Sequence, residues 1–279
     1  MGFIDHIHAC NNHDLEKFVG FYGQDDTQIG WVRKDHLVHL DGFSDVLKLK
    51  GSGAYLIEQG DLTSALARVS RALYDKGLLE HWRDEPYEVK QGFADDPLFL
   101  MERCATPFFG IRAFGVHING FVKSKDTIKM WIAKRAGDRA ICPGMWDNMV
   151  AGGQPAGLSL KDNIIKECAE EANIPFELAD KAQPVGTISY MMETDGGIKP
   201  DVMFCYDLEV PEDFVPENTD GEVESFTLMD VQEVAEIVRN TFDFKFNCNL
   251  VIIDFLIRHG ILCPDDCADY EELVRGLRR

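Results

Sequence analysis

The 279-residue sequence predicts an α/β protein of two unequal units: a small α+β unit over residues 1–107 and a larger α/β unit over residues 108–279. Three observations carry that expectation. A hydrophobic content of 45% supports real cores in a chain long enough for two ordinary domains. Short, mixed helical and strand signals before Phe108 give way to long alternating strands after it. An amphipathic helix then separates two sets of strands, and helices close the chain.

In the first unit, a short helix around Phe3 to Cys10 leads to Leu15 to Tyr22, and Gln28 to Val32 reads as a strand. Asp35 to Leu40 is a helical turn. Asp61 or Thr63 can cap a longer helix whose apolar face is Leu62, Leu66, Val69, Leu73 and Leu78, with Gly77 weakening its end. Tyr87 to Val89 and Leu98 to Met101 are strand candidates. His6, His8, His13, His36 and His39 lack a coherent ligand spacing and read as surface or packing residues. The unit has two roles open to it, covering a substrate or making a homodimer contact.

In the second unit, Ile111 to Val122 alternates, with Phe114, Val116, Ile118 and Val122 on one face and His117 and Asn119 on the other. Ile128 to Arg135 is a second strand, and Pro143 to Trp146 a turn. Val185 to Met192 and Val202 to Glu209 read as strands joined through Gly196-Gly197. The tail is helical over 230–239, 247–259 and 270–277, with Gly260 stopping the middle helix. Arg112 and Lys134 or Arg135 are candidates to hold phosphate, or are solvated strand-end charges. Trp146 reads as a ring that stacks on a heteroaromatic substrate or as packing beneath the glycines that follow it, Tyr190 as pocket lining or core, and His117 as a further substrate candidate.

Between the strand sets lies Gly152-Gly153-Gln154-Pro155-Ala156-Gly157, then Leu158, Ser159 and a helix through Ile174. At about 100° per residue, Glu167, Glu170 and Glu171 share one arc, while Ile164, Ile165, Cys168, Ala169 and Ala172 fill the neighbouring stripe. Like charges at these spacings oppose helix formation by about 0.2–0.5 kcal/mol per pair. A divalent cation compensates them, and Mg²⁺ takes such hard oxygen ligands together with substrate phosphates. The plain alternative is a solvated acidic face. The glycines favour the metal reading, because a tight glycine loop entering a helix lets backbone approach metal or phosphate.

Glycine loop and carboxylate helix together resemble the signature of the Nudix hydrolases, G-x5-E-x7-R-E-U-x-E-E-x-G-U, where U is apolar. Gly152, Glu167, Cys168, Glu170, Glu171 and Ile174 fall on pattern positions. Leu158, Lys166 and Asn173 depart from it, standing where the pattern has Glu, Arg and Gly. Further segments, among them Gly30 to Val32, Phe43 to Val46, Phe108 to Arg112 and the run Lys199 to Phe226, are similar to a Nudix subfamily with an extra N-terminal domain. That subfamily is associated with hydrolysis of oxidised, damaged thiamine diphosphates to monophosphates, and Lys-Glu-Cys with an apolar residue at the Leu158 position is usual in it.

The resemblance implies a Nudix α/β/α sandwich around a mixed sheet, preceded by a small α+β domain. It implies metal-assisted hydrolysis of a phosphoanhydride in a small diphosphate, with Mg²⁺ or Mn²⁺ on Glu167, Glu170 and Glu171. Lys166 orients the acids, and Glu222 or Glu167 takes the proton, with Glu224 as the fallback for Glu222 because the two share a strand face. A nucleoside diphosphate derivative such as ADP-ribose is the competing substrate. The missing acid at Leu158 leaves a noncatalytic nucleotide-binding module as a third reading.

The formal charge of −20 argues against nonspecific binding to nucleic acid or anionic membrane. The eight cysteines show no C-x-x-C pair, which points to free thiols in a reducing compartment. The N-terminus lacks a basic start followed by an apolar run, and no apolar stretch reaches about 20 residues. A cytoplasmic protein without a membrane span is the expectation.

Overall fold

The computed structural model describes residues 1–51, 53–57, 60–125 and 127–279. The chain opens with α1 (Phe3–Cys10), then β1 (Phe18–Tyr22), β2 (Gln28–Arg33), β3 (Leu47–Lys50) and β4 (Gly53–Leu56). These strands form a sheet in the order β2-β1-β4-β3, parallel only between β1 and β4. Helix α2 (Leu62–Asp75) starts where the Asp61 carboxylate accepts the Ser64 N–H at 3.1 Å, a side-chain cap. Its Leu66, Val69 and Leu73 recur at helical spacing and are fully buried, each contributing about 1.5–3 kcal/mol by leaving water. An antiparallel ribbon follows, β5 (Pro86–Val89) with β6 (Phe99–Glu102). Phe108, Phe109 and Ile111 bury into this same first core, so the next strand starts later than Ile111.

The second unit comprises β7 (Phe114–Ser124), β8 (Thr127–Arg135), β9 (Trp146–Asp147), β10 (Val150–Gly153), α3 (Leu160–Ala172), α4 (Phe176–Ala179), β11 (Gln183–Thr194), β12 (Gly197–Glu209) and β13 (Val223–Asp230). Helices α5 (Val231–Asn240), α6 (Phe246–Arg258) and α7 (Tyr270–Gly276) close it. Its seven-stranded mixed sheet runs β11-β12-β7-β8-β13 and is parallel between β12 and β7. On its other edge β7 is shared: β10 pairs residues 115–118 and β8 pairs residues 121–124. That split places the glycines of β10 at the centre of the sheet.

The alternation in β7 sorts the layers. Val116, Ile118 and Val122 pack against Ile164, Cys168 and Ala172 of α3. Phe121, on the opposite face, packs with α6. Leu250 to Ile253, Phe255 and Leu256 are all fully buried, so α6 is apolar nearly all round and lies between the sheet and α1, α5 and α7. The result is the expected α/β/α sandwich. Residues 1–107 do not all pack in one core, however: Phe3, Ile7 and Cys10 of α1 bury in the core built around α6.

Candidate active site

Gly152 and Gly153 lie in strand β10, antiparallel to Val116 and Gly115, and not in the loop expected from their sequence. Their value is close approach. A Cβ at Gly152 would run into the Glu167 carboxylate, and one at Gly153 into the Tyr87 hydroxyl from β5. The turn itself falls at Gly157, whose φ of +82° suits glycine. It is roofed by the β5–β6 ribbon, where the Ala156 N–H donates to the Pro86 carbonyl at 2.8 Å and the Gly157 N–H to Glu88 at 3.4 Å. The first unit therefore closes directly over the loop that leads into α3.

Ser159 caps α3, its hydroxyl accepting the Asp162 N–H at 3.1 Å. The helix ends at Asn173 in the left-handed conformation, φ +51°, which explains how Asn stands where the family pattern has Gly. On the helix the three acids divide. Glu170 is half exposed and takes Lys166 Nζ at 2.8 Å; the same nitrogen reaches Glu167 at 3.2 Å. Glu171 is 7% exposed and accepts the Ala151 N–H at 2.8 Å. Burial raises the Glu171 pKa well above the carboxylate range; the Ala151 N–H opposes this, while Glu167, Asp147 and Glu222, all acids, add to it. Glu167 is also raised, by burial first, against the pull of Lys166.

Glu222 reaches this face from the loop before β13. Thr219 ties that loop to the end of α3, its N–H and hydroxyl both on the Glu170 carbonyl at 3.3 and 2.6 Å. The Glu222 carboxylate is held by Arg139 at 2.5 Å and lies 3.7 Å from Arg83 of the first unit. A bulge between Val223 and Ser225 breaks the alternation expected across 222–226, and Glu224 pairs instead with Lys134 at 3.2 Å. Glu224 is thus not equivalent to Glu222.

The expected substrate residues are not assembled on this face. Arg112 donates to the Gln91 carbonyl at 2.5 Å. Arg135 is spent on Asp147 at 2.7 Å and on the carbonyls of Ile141 and Cys142. Trp146 packs edge-on against Phe244, ring centroids 5.4 Å apart. Tyr190 is buried and donates to Asp201 at 2.8 Å. His117 is buried on the α6 side, bonded to Asn148 at 2.9 Å; burial and then Lys245 lower its pKa to about 4, so it is neutral. With Asp147 and Cys248 it offers ligand atoms within 4.8 Å of one another. Yet Asp147 already carries Arg135 and, at 3.5 Å, Lys245, so a metal there would meet two cations. That trio is structural.

Tyr87 is expected from the sequence only as a strand residue, and Arg83, Arg103 and Arg139 carry no expectation. Arg103 pairs with Glu85 at 2.7 Å and its guanidinium lies 5.7 Å from the centre of the Tyr87 ring. The only local signal was Trp82-Arg83 in a polar tract, since what recruits these residues is the docking of the two units.

Residues 113–250 match the NUDIX domain, and residues 2–113 match a domain of unknown function (DUF4743). Nudix hydrolase 20, chloroplastic, of Arabidopsis thaliana is 41% identical over 292 residues, covering 99% of this chain and 78% of that protein. The chain belongs to the Nudix hydrolase family. Nudix hydrolase 24, chloroplastic, of the same plant is 40% identical over 99% of this chain and 78% of its own length. The uncharacterized protein YJR142W of Saccharomyces cerevisiae is 32% identical over 91% of this chain and 81% of its own length. Nudix hydrolases typically use divalent metals. The donors here fit such an ion: hard carboxylate oxygens of Glu167 and Glu171, half buried or more, whose mutual repulsion a cation relieves.

Proposed function

We propose that this Nudix hydrolase cleaves the phosphoanhydride of a small organic diphosphate with Mg²⁺ or Mn²⁺ held by Glu167, Glu170 and Glu171. The observation that carries the reading is Glu171: a buried carboxylate bound through one backbone N–H, with three acids, Glu167, Asp147 and Glu222, about it and Lys245 as a more distant cation. Such a group is expensive to keep unless a cation completes it. The bound ion neutralises charge on the phosphates and lowers the pKa of an attacking water. The chain's own residues set the geometry. The Ala151 N–H fixes Glu171, Lys166 holds Glu167 against Gly152, and Glu222 or Glu167 accepts the proton.

Within that class the substrate is an oxidised thiamine diphosphate, converted to its monophosphate and phosphate. Support comes from the chain-wide resemblance and from charge. A protein of net charge −20 attracts protonatable rings while metal holds the anionic tail, which favours a thiamine-type diphosphate over ADP-ribose, and the resemblance alone ranks the oxidised form first. Parallel assays of oxidised thiamine diphosphate, intact thiamine diphosphate and ADP-ribose, with and without Mg²⁺, test it. The expected order of kcat/KM is oxidised form, intact form, ADP-ribose. A preference for ADP-ribose overturns the substrate and keeps the chemistry; no hydrolysis of any of them favours a binding module.

A further inference from the structure

Beside Glu222, where the two units meet, lies an open cavity of about 350 Å³ lined by His81, Trp82 and Arg83 from one side and by Asp138, Arg139 and Glu222 among those from the other. Its walls are built. His81 and Asp84 both take positive φ, +60° and +56°, a conformation non-glycine residues rarely adopt and one that concentrates at functional sites. The turn they make is pinned by a buried carboxylate, Glu102, which accepts the N–H groups of Arg83 and Glu85 at 3.1 and 3.0 Å. Trp82 donates its ring N–H to Asp84 at 2.6 Å and packs beside Tyr74 and Arg71. On the opposite wall, Arg135 fastens the 136–145 loop through the Ile141 and Cys142 carbonyls.

What this bracing presents is two guanidinium groups with donors to spare. Among the described residues the Arg83 guanidinium makes no hydrogen bond, and its 3.7 Å approach to Glu222 is an ion pair only. Arg139 pairs with Glu222 through Nη2, while its Nε is buried with no partner among the described residues. An unmet buried donor is costly to keep and calls for an acceptor. In a chain with 48 acidic and 28 basic residues, carboxylates are plentiful, so two under-used arginines on one cavity are not a shortage of partners. Planar forks of N–H donors match phosphate oxygens, and Glu222 places the cavity next to the carboxylate face.

We propose that Arg83 and Arg139 form a clamp, shared between the two units, for the phosphate groups of the substrate. The first unit is then part of the active site, supplying the binding residue Arg83 on a rigid turn. This rests on the diphosphate hydrolase reading for its biological ligand but is testable without turnover. Isothermal titration of the full chain with inorganic pyrophosphate in EDTA reads the clamp alone. Loss of charge-assisted hydrogen bonds worth roughly 1.5–3 kcal/mol should weaken binding about tenfold to a hundredfold in Arg83→Ala and in Arg139→Ala, with Arg83→Lys between. With a diphosphate substrate and Mg²⁺, Arg83→Ala should raise KM far more than it lowers kcat. Unchanged pyrophosphate affinity in both alanine variants, with normal thermal melts, overturns the clamp even if the enzyme hydrolyses diphosphates. Arginine-dependent pyrophosphate binding in a chain that hydrolyses nothing keeps the clamp and overturns the hydrolase reading.

Discussion

The two faces of the seven-stranded sheet bury carboxylates in opposite ways. Toward α6, each has cations: Asp147 has Arg135 and Lys245, Asp207 has Arg258 at 2.6 Å and His259 at 3.0 Å, and Asp254 has Arg258 at 2.6 Å and Arg278 at 2.5 Å. Burial alone would raise Asp147, but Lys245 and then Arg135 outweigh it and hold its pKa at about 2. Toward α3, Glu171 has one N–H, mostly acidic neighbours and no ion pair among the described residues, Lys245 acting on it only from a distance, and Glu167 shares a single lysine with Glu170. Burial is common to both faces and compensation is not. Uncompensated acid marks the chemistry, while compensated acid marks the scaffold beneath it.

The largest expected effect separates the faces by activity. Glu171→Gln keeps an oxygen for the Ala151 N–H and removes a buried negative charge, so the thermal melt should hold or rise. Loss of one metal-face charge should lower turnover roughly 10²- to 10³-fold, several kcal/mol of transition-state stabilisation. Steady-state kinetics beside a melt decide it. Near-normal turnover in a folded variant would place Glu171 with the scaffold acids.

On the other face the same chemical change should act on stability. Asp147→Asn strands Arg135 and Lys245 without their shared carboxylate, and breaking a buried pair costs about 3–5 kcal/mol. Urea unfolding should show a lower midpoint at unchanged slope. A neutral or stabilising outcome would mean that the cations relax to water and that the pairing is not what holds β9 to α6.

The legibility of the two faces in the sequence follows the same division. The α3 face was readable because its acids and apolar stripe sit on one helix, within one turn of each other. The α6 face was less so: Asp147, Asp207 and Arg135 come from three different strands, and pairing across a sheet leaves no local pattern, so only the i,i+4 pair of Asp254 and Arg258 within α6 is local. Strand and helix positions were largely legible from periodicity, including the faces of β7. What periodicity missed was long-range docking: α1 against α6, Tyr87 over Gly153, and the arginines around Glu222. Gly152 and Gly153 are expected in a tight loop but lie in a strand, since a missing Cβ serves close approach in a strand as well as a turn. Tyr190 and Trp146 illustrate the converse, aromatic residues whose partners lie inside the core.

A smaller effect sharpens the account of the compensated face through pH. His117 has a folded pKa of about 4 against 6.5 for the free group, lowered by burial and by Lys245. Between those values the unfolded chain binds a proton that the folded chain refuses. The contribution is therefore fully present above pH 6.5 and lost as pH falls toward 4, up to about 3 kcal/mol for a difference of 6.5 − 4 = 2.5. His6 and His36 are lowered too, by burial first, so the informative quantity is a difference. His117→Gln should lose stability less steeply than the natural protein across that window, in unfolding curves taken at matched pH. Equal slopes would show that His117 is protonated without penalty and that the network around Asp147 tolerates another cation.

The smallest effect concerns whether the α3 face lacks an acid. Leu158 occupies the first Glu position of the family pattern, and a buried side chain there would have argued for a packing role. Instead Leu158 is 36% exposed, and its backbone does the local work, the carbonyl accepting Gln154 Nε2 at 2.7 Å. Leu158→Glu adds a charge beside the N-terminus of α3, where the helix dipole favours it by a few tenths of a kcal/mol, and removes little packing. Stability should stay within about 0.5 kcal/mol of the natural protein, and turnover within about twofold. Kinetics over a Mg²⁺ titration carry the test, because a new ligand would shift the metal dependence as well as the rate. A gain of tenfold or more at lower Mg²⁺ would show that the uncompensated face is one carboxylate short, and that Glu167, Glu170 and Glu171 alone hold the ion loosely.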